Sequence, residues 1–266
     1  MRKVLLAVMI CMICIVSVGC SAFVRTNILD SESPSLEDST DFKANSSIEC
    51  WVMRKTDSSL LLVTGDSQMF LVSADGIPVT DKAGSSIGFN EVIVSDTVEI
   101  TYDGGIIETY PAMFSGISSI RVTGRQSTFV PLYCDVIDAL YEQASELNGN
   151  TGMFAFDLTE LTNLSDAEKN ALIYIAGDKY TKESFFATYD DLKDHDYLND
   201  KADSFTDGLL ITISVSEVSR DDGFEFSASK WKGVGQEVGF SECLAKKNGS
   251  EWTYEIGAVW TAKKPK

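Results

Sequence analysis

The 266-residue chain has one histidine, five prolines and 22 basic residues against 40 acidic ones. Each shortage excludes something. With His195 as the sole histidine, any Ser/His or Cys/His machinery must pass through one imidazole, and no Gly-x-Ser-x-Gly elbow presents a nucleophile to it. His195 lies in the hydrophilic run Asp190-Asp191-Leu192-Lys193-Asp194-His195-Asp196, which reads as a solvated helix face, so no catalytic residue is assigned. A formal net charge of -18 leaves no basic stripe for a phosphate backbone and argues against a nucleic-acid partner. One histidine and scattered cysteines do not make a zinc set. The acidic stretch Asp190, Asp191, Asp194, Asp196, Asp200, Asp203 and Asp207 lacks the glycine and glutamate spacing of a helical-hand calcium loop. Gly233-Val234-Gly235-Gln236-Glu237-Val238-Gly239 has no Lys-Ser/Thr pair after it and reads as a hairpin rather than a phosphate loop. Neither metal nor cofactor is expected.

What is present begins at the first residues. Arg2 and Lys3 precede an apolar run from Val4 to Val16, about 13 residues and too short for a permanent membrane span. A charged start, an apolar middle and small residues before a cysteine form an export signal. Ser17-Val18-Gly19-Cys20 resembles the lipobox of bacterial lipoproteins. The resemblance implies cleavage between Gly19 and Cys20, a signal peptide over residues 1–19, and diacylglycerol on the Cys20 thiol. Lipidation implies an address on the outer face of the cytoplasmic membrane, and two acyl chains anchor stably where one does not.

Residues 20–46 are polar and acidic, without periodic apolar positions, and are expected to be a disordered tether. Residues 47–124 read as short strands separated by turn residues, including a hairpin of Thr97–Tyr102 with Ile106–Tyr110 across Asp103-Gly104-Gly105. The stretch from Val98 to Ala112, with Ile117–Val122 after it, resembles a small OB-like β domain of uncharacterised Gram-positive lipoproteins and secreted proteins. That likeness implies an all-β OB-like barrel and an envelope address, with no catalytic residue to carry over.

Residues 129–263 read as a second, α+β domain. A helix follows Pro131, a second starts at Ser165 with Glu168 completing a capping box, and a short third starts at Thr188. Period-two segments at Gly208–Val215, Gly223–Ser229, Val238–Lys246 and Glu251–Thr261 predict a four-stranded antiparallel sheet with helices on one face. Leu164–Lys169, Lys230-Trp231 and Trp252–Gly257 resemble the C-terminal region of similar envelope lipoproteins, and the element order is compatible with an NTF2-like or cystatin-like fold. Cys50, Cys134 and Cys243 are odd in number; a bridge, if one forms, joins Cys134 with Cys243, and three buried thiols are an equal alternative.

The functional expectation is a membrane-anchored, non-enzymatic binding or interaction module with an envelope ligand or protein as partner. The alternative is a cell-wall glycan-acting enzyme or enzyme modulator using carboxylates such as Asp157 and Glu160. Trp231, Trp252, Trp260, Tyr254 and Phe240 either fill the core of the last sheet or line an open face that stacks on sugars.

Overall fold

The computed structural model describes residues 45–73, 75–220, 223–249 and 251–262; Gly19, Cys20 and the expected tether up to residue 44 lie outside them. The first region comprises β1 (Ser46–Lys55), β2 (Ser59–Val63), β3 (Met69–Ser73), β4 (Val79–Thr80), β5 (Ser86–Ile87), β6 (Asp96–Tyr102), β7 (Ile106–Ile107), β8 (Met113–Phe114) and β9 (Ile117–Arg125). Seven of these form one sheet in the order β3-β2-β1-β6-β9-β4-β5. The sheet curls as an open half-barrel rather than the small OB-like barrel expected from sequence.

The expected hairpin is also redrawn. β6 lies between β1 and β9, and β7 pairs only with β8 in a separate two-stranded flap. Asp103 N donates to Gly116 O at 3.0 Å, and Ser115 N donates to Gly105 O at 2.9 Å. Gly104 packs so tightly on Ser115 that there is no room for a Cβ. Gly104 therefore serves a close chain crossing, not a two-residue return.

The uninterrupted run Leu60-Leu61-Leu62-Val63 sets the packing. A strand buried on both faces needs no polar alternation. Leu60 and Leu62 enter the half-barrel core with Cys50, Phe70, Val98, Ile100 and Ile120. Leu61 and Val63, joined by Met53 and Met69, turn to the other face and belong to the core of the following region.

That region comprises α1 (Val130–Glu142), β10 (Met153–Asp157), α2 (Asp166–Tyr180), β11 (Glu183–Phe186), α3 (Tyr189–Asp194), β12 (Gly208–Arg220), β13 (Gly223–Gly233), β14 (Gln236–Asn248), β15 (Glu251–Glu255) and β16 (Ala258–Thr261). Its sheet runs β11-β10-β12-β13-β14-β15, with β16 also on β14. β10 is parallel to both β11 and β12, and the other pairings are antiparallel. This corrects the four-stranded antiparallel sheet and, with it, the NTF2-like or cystatin-like order. The cause is Phe154-Ala155-Phe156, buried throughout, which forms a central strand whose parallel neighbour β11 is reached through the α2 crossover.

The helices are divided between faces, another departure from expectation. Leu132, Val136, Ile137, Leu140, Ala171, Leu172 and Ile175 of α1 and α2 pack on Phe154, Phe156, Leu209, Ile211 and Phe226. Leu192 of α3 and Phe205 pack on Ala155 and Leu210 of the opposite face. Ser165 and Glu168 form the capping box that starts α2, with Ser165 N donating to the Glu168 carboxylate at 2.9 Å. α2 also touches β1, β2 and β3, and Arg54 is paired with Asp178 at 2.6 Å. The described residues belong to one compact unit.

Behind α1 the chain passes through left-handed backbone at Ala144 and Asn150. Three lysines satisfy the carbonyls this irregular stretch leaves over. Lys230 Nζ donates to Tyr141 O at 3.0 Å and Asn148 Oδ1 at 2.8 Å, Lys232 Nζ to Leu147 O at 3.3 Å, and Lys182 Nζ to Thr151 O. Lys230 is only 1% exposed, and burial lowers its pKa to about 8, with Glu146 opposing the shift.

Candidate functional site

On the face opposite α1 and α2, α3 covers only one end of the mixed sheet. Alternation along β12 and β13 decides what is left uncovered. Ile211 and Ile213 point to the helices, so Thr212 and Ser214 point away; across the sheet Thr212 pairs with Ser229 and Ser214 with Ser227. Ser214 Oγ and Ser227 Oγ are 2.8 Å apart, and Ser216 Oγ donates to Glu225 O at 3.0 Å. The result is a half-buried hydroxyl ladder on an open sheet.

One end of the ladder widens into a groove of about 450 Å³ lined by Glu160, Ser214, Ser216, Glu225, Ser227 and Glu242, with Val215 and Phe226 at its margin. Val215 N donates to Glu160 O at 3.1 Å, which fastens the loop after β10 at the groove's edge. Glu242 arrives by a bulge. Phe226 faces Cys243 and Ala228 faces Phe240, so Ser241 and Glu242 together oppose Ser227, and Glu242 takes the left-handed φ of 54°. The same bulge breaks the neighbouring strand: β16 pairs with Val238–Ser241 and β15 with Leu244–Asn248, leaving Gly257 against Glu242. Among the described residues no ion pair involves Glu160, Glu225 or Glu242.

Trp260 completes the face. Paired with Gly239, its ring lies where a Cβ on Gly239 would be, with Cζ2 and Cε2 at 2.5 and 2.6 Å from that position, and it stays 37% exposed. Ser229, the other partner of Gly239, places the ring beside the hydroxyl ladder. Next along, Glu237 has its carboxyl pKa raised by burial, opposed by a hydrogen bond from Ser229. An exposed indole plane, a row of hydroxyls and carboxylate acceptors can together stack on and hydrogen-bond a polyhydroxylated molecule.

The aromatics noted in the sequence therefore divide. Phe240, Trp252 and Tyr254 sit with the helix-side core, Trp252 at 4.8 Å from Phe129. Trp231 lies under Tyr189 at 5.5 Å, and Trp260 remains open. Asp157 and Glu160 also separate: Asp157 accepts from Thr159 Oγ1 at 2.6 Å, while Glu160 lines the groove. His195 Nδ1 donates to Asp191 O at 2.9 Å at the end of α3. Among the described residues no group of three His, Cys, Asp or Glu side chains is arranged to hold a metal ion. Cys134 and Cys243 are free thiols, as is Cys50. Burial raises the pKa of Cys50 and Cys134 to about 12, with acidic neighbours adding to the shift.

Sequence reasoning passed over Glu225, Glu242, Ser214, Ser216 and Ser227. Their signal was the polar half of the alternation in Ser214-Val215-Ser216 and Phe224-Glu225-Phe226-Ser227. No described helix is long and apolar enough to cross a membrane. No family model matches the chain, and a search of curated proteins finds no match either.

Proposed function

We propose that the protein is a lipid-anchored, extracytoplasmic binding protein whose open sheet face holds an envelope glycan. The lipobox-like Ser17-Val18-Gly19-Cys20 supports the address. The observation that carries the ligand class is the half-exposed Trp260 ring set against Gly239 beside the Thr212–Ser229 and Ser214–Ser227 ladder. Sugar rings offer an apolar face to an indole and hydroxyl edges to serines and carboxylates. Glu160, Glu225 and Glu242 supply acceptors at the groove end.

Two measurements test the two halves of this reading. Labelled palmitate is incorporated by the native chain and lost in Cys20→Ala; unchanged labelling rejects the anchor. Titration with N-acetylglucosamine oligomers or cell-wall glycan fragments shifts tryptophan emission, and Trp260→Ala weakens binding at least tenfold. Equal affinity in Trp260→Ala, or preference for lysine-rich peptides over glycans, rejects the ligand class. Release of shortened oligomers, abolished in Glu225→Gln or Glu160→Gln, would move the protein from binder to hydrolase.

A further inference from the structure

The β7–β8 flap lies beside β3 as a separate two-stranded sheet and carries partly exposed apolar side chains. Ile106, Ile107 and Met113 are 41, 49 and 41% exposed, and Tyr110 is 72% exposed. Ile107 pairs with Met113, which concentrates two of them on one short hairpin. Phe114 is turned the other way, its ring stacked on Phe70 at 4.3 Å, so the flap has a rooted side and a free side. Two backbone bonds tie its far strand down: Ala112 N donates to Met69 O at 2.8 Å and Leu71 N donates to Ala112 O at 2.9 Å. Tyr110 leans on Tyr174 of α2 with ring centroids 6.1 Å apart.

The occupant of this surface follows from where the chain joins it. β1 begins at Ser46, whose register partner is Tyr102, and the Tyr102 ring packs on Phe114 of the flap at 4.9 Å. The flap is thus at the end of the unit from which the polypeptide runs back towards Cys20. Those residues span at most about 85 Å when fully extended, so a bilayer holding Cys20 pulls on this end first. Aliphatic side chains beside a tyrosine are the composition that settles at a membrane–water interface.

We infer that the flap is a membrane-contact element in which Ile107 and Met113, paired on the free side, seat with Tyr110 in the interfacial layer of the bilayer that anchors the chain, while Ile106 shares the rooted side with its partner Phe114. The inference rests on the lipid-anchored reading. Flap and bilayer meet through apolar contact alone, since the nearest flap charges, Asp103 and Glu108, are acidic.

The test uses the full-length lipidated protein in vesicles carrying Ile107→Trp, with Val234→Trp on the β13–β14 turn as the comparison site, 56% exposed. Brominated phosphatidylcholine is expected to quench the added emission of Ile107→Trp at least twofold and leave that of Val234→Trp unchanged. Added phosphatidylglycerol is expected not to increase the effect. An unquenched Ile107→Trp on protein that floats with the vesicles overturns the flap contact and leaves the anchor standing. Failure to float overturns both. Equal quenching at both sites, or burial of Ile107→Trp that rises with protein concentration without vesicles, also overturns the inference, the latter in favour of a second copy as occupant.

Discussion

In the half-barrel, β2 is buried on both faces; in the mixed sheet, β12 and β13 are buried on one face and carry serines, threonine and glutamate on the other over most of their length. Both sheets meet the same helices, the first through Leu61 and Val63 and the second through Leu209, Ile211 and Phe226. The first spends both faces of β2 on packing. The second keeps half a face free because α3, a helix of only six residues, is too short to cover it. Packing thus apportions the roles: the half-barrel braces, and the mixed sheet presents.

Leu61→Ala is the most direct way to break this contrast. It removes packing from the surface the two regions share, at a cost of about 3 kcal/mol. Amide protection should fall in β6 and β9 and in β12 and β13 together; loss confined to the half-barrel would show two independent folding units.

Alkaline titration comes next. Cys50 and Cys134 keep their protons to about 12 in the fold but release them near 9.0 when unfolded. Between those values each thiol favours the unfolded state by about 1.4 kcal/mol per pH unit. Lys230 acts in reverse: from about 8 to 10.5 the unfolded chain holds the extra proton, so stability rises. Urea midpoints should therefore rise slightly from pH 8 to 9 and fall above it, and Cys50→Ala with Cys134→Ala should lessen the fall, the remainder coming from Cys243 and the buried tyrosines, whose pKa values burial also raises.

Gly239→Ala sharpens the functional side of the comparison. The new methyl would displace Trp260 and crowd Ala228 O, costing about 1.5 kcal/mol. Glycan binding should drop as far as in Trp260→Ala while the amide protection of the half-barrel persists. The smallest effect belongs to Ser165→Ala, which opens the α2 capping box for about 1 kcal/mol. Because α2 is common to both regions, a single thermal transition should shift without splitting.

Local chemistry made the helices readable from sequence. Ser165 with Glu168, and Thr188 with Asp191, form the reciprocal bonds that start α2 and α3. The two parallel pairings of β10 were hidden for a physical reason: Phe154-Ala155-Phe156 and Glu183–Phe186 are short, carry no period-two signal, and acquire their partners only through a crossover. Glu251–Thr261 read as one strand because nothing in it announces the bulge at Glu242, on a different strand, that divides it. The run Leu60–Val63 did contain a clue to the shared core, since an exposed face would have required a polar residue among the four. For the candidate site, Trp260 was legible as an aromatic; its exposure depends on Gly239 and on where α3 stops.

The three lysines that hold the stretch behind α1 are drawn from a small stock of cations. The chain has few cations, and Lys230 spends one of them inside the fold, on the Tyr141 carbonyl and Asn148 Oδ1. Its charge still counts in the formal total of -18, and that total is what neighbouring molecules feel. Copies gathered on one surface would repel at separations below about 10 Å in 0.1 M salt. Dilute salt should spread them apart and concentrated salt should let them crowd, a lateral order set by the acidic excess.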